Sequence, residues 1–273
     1  MYQGYKIIQP TDIELAAFYM EKDFNHFNCL ENEYVIFKNE DDEIIDKYRW
    51  IGTEYKQVRY EPIKNIYTGC IRPRNPQQCL AFDMLQDNKT TIKLLTGVFG
   101  SGKTMLMILH AIDMIQHGFA DKIVWVRNNI EVKDSVPLGA LPGTADEKLL
   151  PFAGPLLDHI GGLEGMYAMM DNNQLELQHL GYIRGRDIKN SIIIASEAEN
   201  LTTQHIQLLI GRVGEGSQLW LDGDHKQVDK QVFKDNSGLL KAVERLAGQS
   251  LFGYVDLPIS ERSATAKLAD LLD

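Results

Sequence analysis

The segment Gly97–Thr104 constrains the fold of this chain more than any other; it reads Gly-Val-Phe-Gly-Ser-Gly-Lys-Thr. It matches the phosphate-loop pattern G-x-x-x-x-G-K-[ST] at every fixed position. The apolar run 92–96 before it predicts a strand, and residues 103–117 after it predict a helix that stops at Gly118. A loop in this setting turns backbone N–H groups towards phosphate oxygens at the positive end of a helix dipole. The sequence therefore predicts a nucleoside triphosphate site between a strand and a helix.

The residues of this loop have separate expected roles in binding ATP and Mg²⁺. We expect Lys103 to contact the β- and γ-phosphates and the Thr104 hydroxyl to bind Mg²⁺. The other loop positions are expected to cradle the phosphates with their backbone, and they are Gly97, Gly100, Ser101 and Gly102.

The composition predicts a globular protein of the cytoplasm. The 273 residues are 44% hydrophobic and 24% charged, and no apolar run approaches the roughly 20 residues of a membrane span. Cys29, Cys70 and Cys79 lack metal-site spacing, and no secretory signal is evident. A net charge of -10 argues against a broad nucleic-acid-binding surface but leaves room for a local basic channel. We therefore expect no membrane partner.

Residues 1–70 predict a small N-terminal region of one helix and an antiparallel sheet. Thr11 and Glu14 have the spacing of a capping box, and the helix is expected to have an apolar side made of Ile13, Ala16, Ala17 and Met20. The aromatic runs 34–37, 48–51 and 55–60 predict strands, with a turn at 39–43. Their aromatic side chains either form a core or stack on single-stranded nucleic acid.

A proline-rich linker at 71–76 marks the expected start of a second domain, residues 71–273. A helix over 78–86 follows the linker. Gln78 at its start either reads the adenine edge through a bidentate hydrogen bond or is an ordinary helix-start residue.

Five hydrophobic strands alternate with helices in this second domain, and they are predicted at 92–96, 122–127, 191–195, 218–221 and 252–257. The alternation predicts an α/β fold with a five-stranded, mainly parallel core sheet and a terminal helix over 261–273. Ligands of such sheets bind at the carboxyl ends of the strands. The irregular stretch 128–155 is long enough to indicate a functional loop.

Polar residues follow several of these strands, and we expect them to meet in one crevice with the phosphate loop. Arg127, Ser196, Glu197 and the segment 222–224 occupy such positions. Glu197 is placed to orient an attacking water. Asp224 and Gln227 are expected to sense the γ-phosphate, although a Gly-Asp pair is also a common turn.

Nucleotide hydrolysis also needs a cation for the charge of the transition state. The candidate arginines are Arg184, Arg186, Arg212 and Arg262. Each is also explained as a surface ion pair. Because the chain has one phosphate loop and no second copy to close the site, a neighbouring subunit would supply the arginine. The sequence thus favours a ring-like homo-oligomer.

Taken together, these motifs resemble the PhoH-like family of RecA-type ATPases over about residues 71–257. Beyond the phosphate loop, the resemblance rests on 138–143 with Glu147, Lys148 and Pro151, on 182–186, on 197–200 with 211–214, and on 223–224 with Gln227. It implies a RecA-like P-loop NTPase fold, ATP hydrolysis with Mg²⁺, hexameric rings and a helicase-like link to RNA. It also implies a location in a bacterial cell or a phage-infected bacterium.

The family usually has Asp-Glu-Ala-Gln-Asn where this chain has Ser-Glu-Ala-Glu-Asn at 196–200, and the chain departs from the family pattern again at position 211. Ser196 stands where the family usually has the aspartate that holds Mg²⁺, so Thr104, the phosphates and waters would carry the metal, with Ser196 acting through a water. Gly211 stands where threonine is frequent. The first 70 residues are too short for the PIN nuclease of longer relatives, so we expect no nuclease activity.

Three hypotheses for the function are compatible with the sequence. The first is an ATP-driven motor or remodeller acting on single-stranded RNA or DNA. The second is a nucleotide-binding switch or scaffold with weak turnover, which Ser196 favours. The third, a small-molecule kinase, is disfavoured because no arginine-rich lid is evident. The basic residues proposed for nucleic-acid contact are Lys122, Lys133, Lys148, Arg184, Arg186 and Lys189.

Overall fold

The computed structural model describes residues 2–65, 68–127, 153–224, 233 and 236–263. Several predicted features lie outside these ranges. They are most of the irregular stretch 128–155 with its motif 138–143, Lys133, Glu147, Lys148, Pro151, Gln227, and the terminal helix beyond residue 263.

The N-terminal region is a four-stranded sheet in the order β1-β2-β3-β4. These strands are β1 Tyr5–Ile8, β2 Tyr34–Lys38, β3 Ile44–Trp50 and β4 Tyr55–Gln57, and helix α1, Asp12–Met20, follows β1. Strands β2 to β4 are antiparallel, as predicted, whereas β1 pairs in parallel with β2 and was not predicted. A short hairpin of β5, Ile63–Asn65, and β6, Gly69–Ile71, leads to the next region.

The aromatic side chains of this sheet form its core. Phe18 of α1 packs against Phe37, Tyr48 and Tyr55, with ring centroids 4.8 to 5.1 Å apart. All four rings are buried, as is Trp50. The core alternative is therefore confirmed, and these rings offer no stacking surface to nucleic acid.

Helix α1 has the predicted capping box but not the predicted apolar side. Glu14 donates its backbone N–H to Thr11, and the Glu14 carboxylate accepts the N–H of Thr11 at 2.8 Å. Phe18 is the buried residue of the helix, while Ile13 and Met20 are more than 80% exposed. The prediction of the buried side was wrong because the cluster of aromatic rings, rather than the small apolar residues, fixes the rotation of this helix.

The second region is built on a six-stranded parallel sheet in the order β12-β7-β11-β10-β8-β9. In chain order its elements are α2 Pro76–Gln86, β7 Ile92–Gly97, α3 Lys103–Gln116, β8 Lys122–Arg127, α4 Gly154–Leu157, α5 Gly162–Asp171, β9 Leu175–His179, β10 Ser191–Ala195, α6 Thr203–Ile210, β11 Gln218–Gly223, α7 Gly238–Leu246 and β12 Phe252–Leu257. The prediction of five strands missed β9. This edge strand reads Leu-Glu-Leu-Gln-His and buries only alternate residues, so it lacks the continuous apolar run of an inner strand.

The two regions share a hydrophobic core. Tyr5, Tyr34, Ile36 and Ile63 belong to the same buried cluster as the apolar side chains of α2 and α3. Tyr34 also donates its hydroxyl to Asp83 of α2 at 2.9 Å. The N-terminal sheet therefore packs directly on the helices that carry the phosphate loop. In the described ranges, no helix has both the length and the apolar character needed to cross a bilayer.

Candidate nucleotide site

The loop between β7 and α3 has the backbone that its glycines predict. Gly97, Gly100 and Gly102 have φ values of +139°, +76° and +89°, which L side chains rarely adopt. A Cβ atom on Gly97 would lie 2.1 Å from the carbonyl oxygen of Leu257 on β12. The loop can therefore pass this close to the neighbouring strand only with glycine at position 97.

Lys103 and Thr104 form the first turn of α3, where backbone N–H groups have no acceptor within the helix. The Lys103 ammonium lies over the loop and donates to the carbonyl oxygens of Gly97 at 2.7 Å and Val98 at 3.0 Å. Burial lowers its pKa, although four nearby carboxylates act in the opposite sense. The cation and the free N–H groups are thus held at one point, which suits an anionic ligand.

Asp222 contacts the phosphate loop directly, because Thr104 donates its hydroxyl to Asp222 Oδ2. The side chain is buried at the end of β11, the strand that pairs with β7. Its other oxygen, Oδ1, is buried with no hydrogen-bond partner among the described residues. Burial raises the pKa of Asp222, and the hydroxyl of Thr104, the charge of Lys103 and the hydroxyl of Ser196 offset part of that rise.

The sequence interpretation gave Asp222 no role, although it named the segment 222–224 among the strand ends. It assigned the metal to Thr104, with Ser196 acting through a water, and gave Asp224 the separate role of sensing the γ-phosphate. Position 222 is the last but one residue of β11, and the pairing of β11 with β7 is what brings it to Thr104. The sequence alone does not indicate which strands are neighbours in the sheet.

Ser196 and Glu197 follow β10 directly and meet Arg127, the last residue of β8. Arg127 Nη2 lies 2.9 Å from Glu197 Oε1, and Nη1 lies 3.5 Å from the Ser196 hydroxyl. Glu197 has a φ of +57°, a left-handed conformation that is uncommon for a residue with a side chain. The three predicted strand-end residues are therefore brought together.

Asp224 and Glu199 form the far side of this group. The Asp224 backbone N–H donates to Glu199 Oε2 at 3.0 Å, and both side chains are buried. Burial raises the pKa of Glu199 to about 8, with the Asp222 charge acting in the same sense. Glu199 therefore carries a proton for much of the neutral range. Its counterpart in the family pattern is an uncharged glutamine, so protonation brings it closer to that pattern.

These residues line one cavity of about 400 Å³ at the carboxyl ends of the strands. The lining comprises Phe99, Lys103, Thr104, Pro155, Ser196, Glu197, Glu199, Asn200, Asp222, Gly223 and Asp224. The part of the chain that the structure describes holds no group of three or more His, Cys, Asp or Glu side chains arranged for a metal ion. Mg²⁺ usually needs only one or two protein oxygens beside the phosphates of its nucleotide. The Thr104 hydroxyl and the free oxygen of Asp222 fit that need.

The amide of Gln78 faces the phosphate loop from α2. Its Nε2 donates to the Ser101 carbonyl at 3.0 Å, and its Oε1 accepts the Arg74 N–H at 2.8 Å. Both ends of the amide are thus used within the chain, and the side chain is buried. A contact with adenine stays a prediction, and it would require these two bonds to open.

The candidate arginines lie at different places. The Arg262 guanidinium stacks 3.2 Å over the ring of Phe99, and the neighbouring Glu261 N–H donates to Gly100 O at 3.0 Å. Arg212 accepts the Ile188 N–H on its carbonyl, beyond the amino end of β10. Strand β10 has five residues at about 3.3 Å each, and the phosphate loop lies at its other end. Arg212 is therefore roughly 16 Å or more from the phosphate loop. Arg262 is therefore beside its own loop, whereas Arg212 is remote from it and donates its Nη1 to the Arg186 carbonyl at 3.3 Å.

Three of the basic residues proposed for nucleic-acid contact form ion pairs with carboxylates, and they are Lys122, Arg186 and Lys189. Arg186 Nη1 and Lys122 Nζ each lie 2.5 Å from a Glu176 oxygen, and Lys189 lies 3.3 Å from Asp187. Arg184 is the fourth of these basic residues within the described ranges, and it is not part of these three ion pairs.

Comparison with known proteins supports the resemblance found in the sequence. The model of the family described as PhoH-like protein matches residues 70–265. Protein PhoH2 of Bacillus subtilis is 33% identical over all of this chain and 64% of its own length. Protein PhoH2 of Mycolicibacterium smegmatis is 31% identical over 72% of this chain and 46% of its own.

The PhoH-like protein of Bacillus subtilis is 33% identical over 59% of this chain and 50% of its own length. The chain thus spans between about half and two thirds of these relatives. The α/β fold with a parallel sheet and a phosphate loop agrees with a P-loop NTPase domain of this kind. Because the family model covers most of the chain, this protein belongs to the PhoH-like family.

Proposed function

We propose that this protein binds and hydrolyses ATP. The observation that carries the proposal is the hydrogen bond from Thr104 of the phosphate loop to the buried Asp222 of β11, with Glu197 lining the same cavity. A loop that only binds phosphate needs backbone N–H groups and a lysine. A hydroxyl, a buried carboxylate and a glutamate beside it are the additional groups that metal-assisted hydrolysis uses.

The chain's own residues would divide the work as follows. Lys103 would exchange its two carbonyl partners for phosphate oxygens and neutralise their charge. Thr104 and Asp222 would hold Mg²⁺, which supplies a Lewis acid when bound. Glu197, held by Arg127, would orient the attacking water, and Asp224 with Gln227 would sense the γ-phosphate. Ser196 would contribute through a bound water.

We further propose a ring-like homo-oligomer, a hexamer in the simplest case, that works on single-stranded RNA or DNA as a motor or helicase-like remodeller in the cytoplasm. The position of Arg212 at the opposite end of the sheet supports an arginine supplied to a neighbour. Arg262 beside Phe99 supports a contribution within the same chain. Arg184 is the basic residue we would examine first for a nucleic-acid contact.

A nucleotide-binding switch with weak turnover is the second candidate. The ion pair between Arg127 and Glu197 favours it, because the residue proposed for chemistry is engaged with a cation in this structure.

Phosphate release from ATP by the sized protein tests the first candidate against the second. We expect turnover by the wild type, loss of binding and turnover in Lys103→Ala, and retained binding with turnover lowered by roughly 10²-fold or more in Glu197→Gln. Binding without turnover in the wild type would favour the switch. Failure to bind ATP would reject both.

The same assay tests the wider proposal when single-stranded RNA or DNA is added. Stimulation by either polymer is expected, together with ATP-dependent assembly seen by sedimentation. A monomer at all nucleotide conditions would reject the ring.

A further inference from the structure

Two strand ends lie next to each other at the phosphate loop, and they carry a hydroxyl and a carboxylate. Strand β10 ends at Ala195, which pairs with Leu221 of β11 in parallel register. Ser196 and Asp222 each come one residue later. Side chains at equivalent positions of neighbouring strands leave the sheet on the same face, about 4.8 Å apart. The two side chains therefore lie side by side near Thr104, and the Ser196 hydroxyl interacts with the Asp222 carboxylate.

Strand β11 lies between β10 and the phosphate-loop strand β7. A carboxylate on β11 is therefore one strand nearer to Thr104 than a carboxylate on β10 would be. The hydrogen bond from Thr104 to Asp222 Oδ2 shows that this shorter reach is used. Ser196, on the more distant strand, lies 3.5 Å from Arg127 Nη1.

Asp222 has the features of a ligand that awaits a cation. The side chain is 3% exposed, and Oδ1 has no hydrogen-bond partner within the described ranges. A buried carboxylate oxygen without a hydrogen bond destabilises the fold, and a purely structural role for Asp222 would not offset that free energy. Its location against Thr104 points to Mg²⁺ bound with a nucleotide.

We propose that this chain has moved the Mg²⁺-site carboxylate from the end of β10 to the end of β11, so that Asp222 performs the role that Ser196 cannot. This inference rests on the proposed ATP site and deepens it. It predicts that the loss of aspartate at position 196 does not weaken the metal site, and that the two positions are interchangeable as a pair.

The test measures binding of a fluorescent, non-hydrolysable ATP analogue with excess Mg²⁺ and with EDTA. The ratio of the two dissociation constants gives the Mg²⁺ coupling. We expect Asp222→Asn to lower this coupling roughly tenfold to hundredfold, with binding in EDTA unchanged. The double variant Ser196→Asp with Asp222→Ser should recover most of the coupling.

Asp256→Asn is the matched control. Asp256 lies on β12, on the other side of β7, where it accepts the Thr96 hydroxyl at 2.6 Å, and its charge also acts on Lys103. Its hydrogen bond goes to Thr96 and not to Thr104, so removing the carboxylate should leave the Mg²⁺ coupling as in the wild type. A loss of coupling in this control would mean that the coupling depends on the summed negative charge around Lys103 rather than on a ligand at Asp222, which overturns the assignment.

The Tm of the nucleotide-free protein distinguishes a metal ligand from a structural residue, because loss of a structural residue would lower this Tm. Asp222→Asn removes a buried charge, so the apo protein should be as stable as the wild type or more stable, while the gain in Tm from Mg²⁺ with the analogue is lost. Wild-type coupling in Asp222→Asn would overturn this inference and leave the ATP site intact. Absence of analogue binding by the wild type would overturn the proposed function itself.

Discussion

Glu197 shows at the scale of one residue how the proposed site departs from the most stable local structure. Its φ of +57° places a side-chain-bearing residue in the left-handed region directly after β10. Such a conformation costs on the order of 1 kcal/mol and persists where surrounding structure enforces it. The ion pair with Arg127 and the turn of residues 198–200 provide that enforcement.

Glycine at position 197 should therefore stabilise the fold relative to alanine. Both Glu197→Gly and Glu197→Ala lose the ion pair with Arg127, but only glycine is free of the left-handed cost. We expect the free energy of unfolding of Glu197→Gly to exceed that of Glu197→Ala by about 1 kcal/mol, measured by urea unfolding. Equal stabilities would show that the backbone is not strained at this position. Both variants should lack ATP turnover if Glu197 has the proposed role.

The roles of single residues could be predicted where a local motif specifies them. The glycines, Lys103 and Thr104 sit in a short segment whose geometry follows from its own sequence, and the structure places them together. Asp222 could not be assigned, because its contact with Thr104 depends on which strands are neighbours. The five residues from Ser217 to Leu221 would read the same way in any buried strand of the sheet.

The edge strand β9 is the element that sequence patterns missed, and its attachment explains why it forms despite its polarity. Glu176 on β9 accepts hydrogen bonds from Lys122 of β8 at 2.5 Å and from Arg186 at 2.5 Å. One carboxylate thus joins the edge strand to its neighbour and to the loop that follows. Although burial alone would raise it, these hydrogen bonds lower the pKa of Glu176 to about 2.

The pKa shift of Glu176 predicts a pH dependence of stability. A carboxyl whose pKa is about 2 in the folded state and 4.5 in the unfolded chain contributes stability above pH 4.5 and loses it as the pH falls towards 2. We expect Glu176→Gln to lower the free energy of unfolding at pH 7 by roughly 2 kcal/mol, which allows for partial solvent screening. The difference from wild type should shrink steadily below pH 4.5.

Glu164→Gln is the control for this measurement, since Glu164 is exposed in the first turn of α5. Its effect on unfolding should be small at both pH values. If the effect of Glu176→Gln is the same at pH 7 and pH 3, the lost packing of the side chain, not its charge, explains the change.

At the scale of the whole molecule, one hydrophobic core crosses the boundary predicted near residue 70. Arg49 of β3 reaches two acids of the second region, with Nη1 at 3.4 Å from Asp83 and 3.1 Å from Asp87. Asn32 donates to the Ser250 carbonyl just before β12 at 2.9 Å. The proline-rich linker at 71–76 predicted a boundary between two regions, but such a segment carries no information about packing across it.

This shared packing predicts that the N-terminal sheet and the phosphate-loop strand unfold as one unit. Replacing Arg49 by leucine leaves the partly buried Asp83 and Asp87 without their cation, which should cost roughly 3 kcal/mol. Hydrogen exchange followed by mass spectrometry at increasing urea reports the free energy of opening for each segment. We expect peptides from β2 and β7 to lose protection together and by the same amount in Arg49→Leu.

Lys56→Leu provides the comparison, because Lys56 is a cation on the neighbouring strand β4 whose partner Glu54 lies 3.8 Å away, with both side chains about half exposed. Its removal should change opening free energies by less than about 1 kcal/mol. If Arg49→Leu lowers protection in β2 alone, the two regions open separately, and the boundary near residue 70 would be a true limit of cooperativity. If both strands respond, the N-terminal sheet is part of the scaffold that holds Gly97–Thr104, and removing it should weaken nucleotide binding even though it contributes no residue to the site.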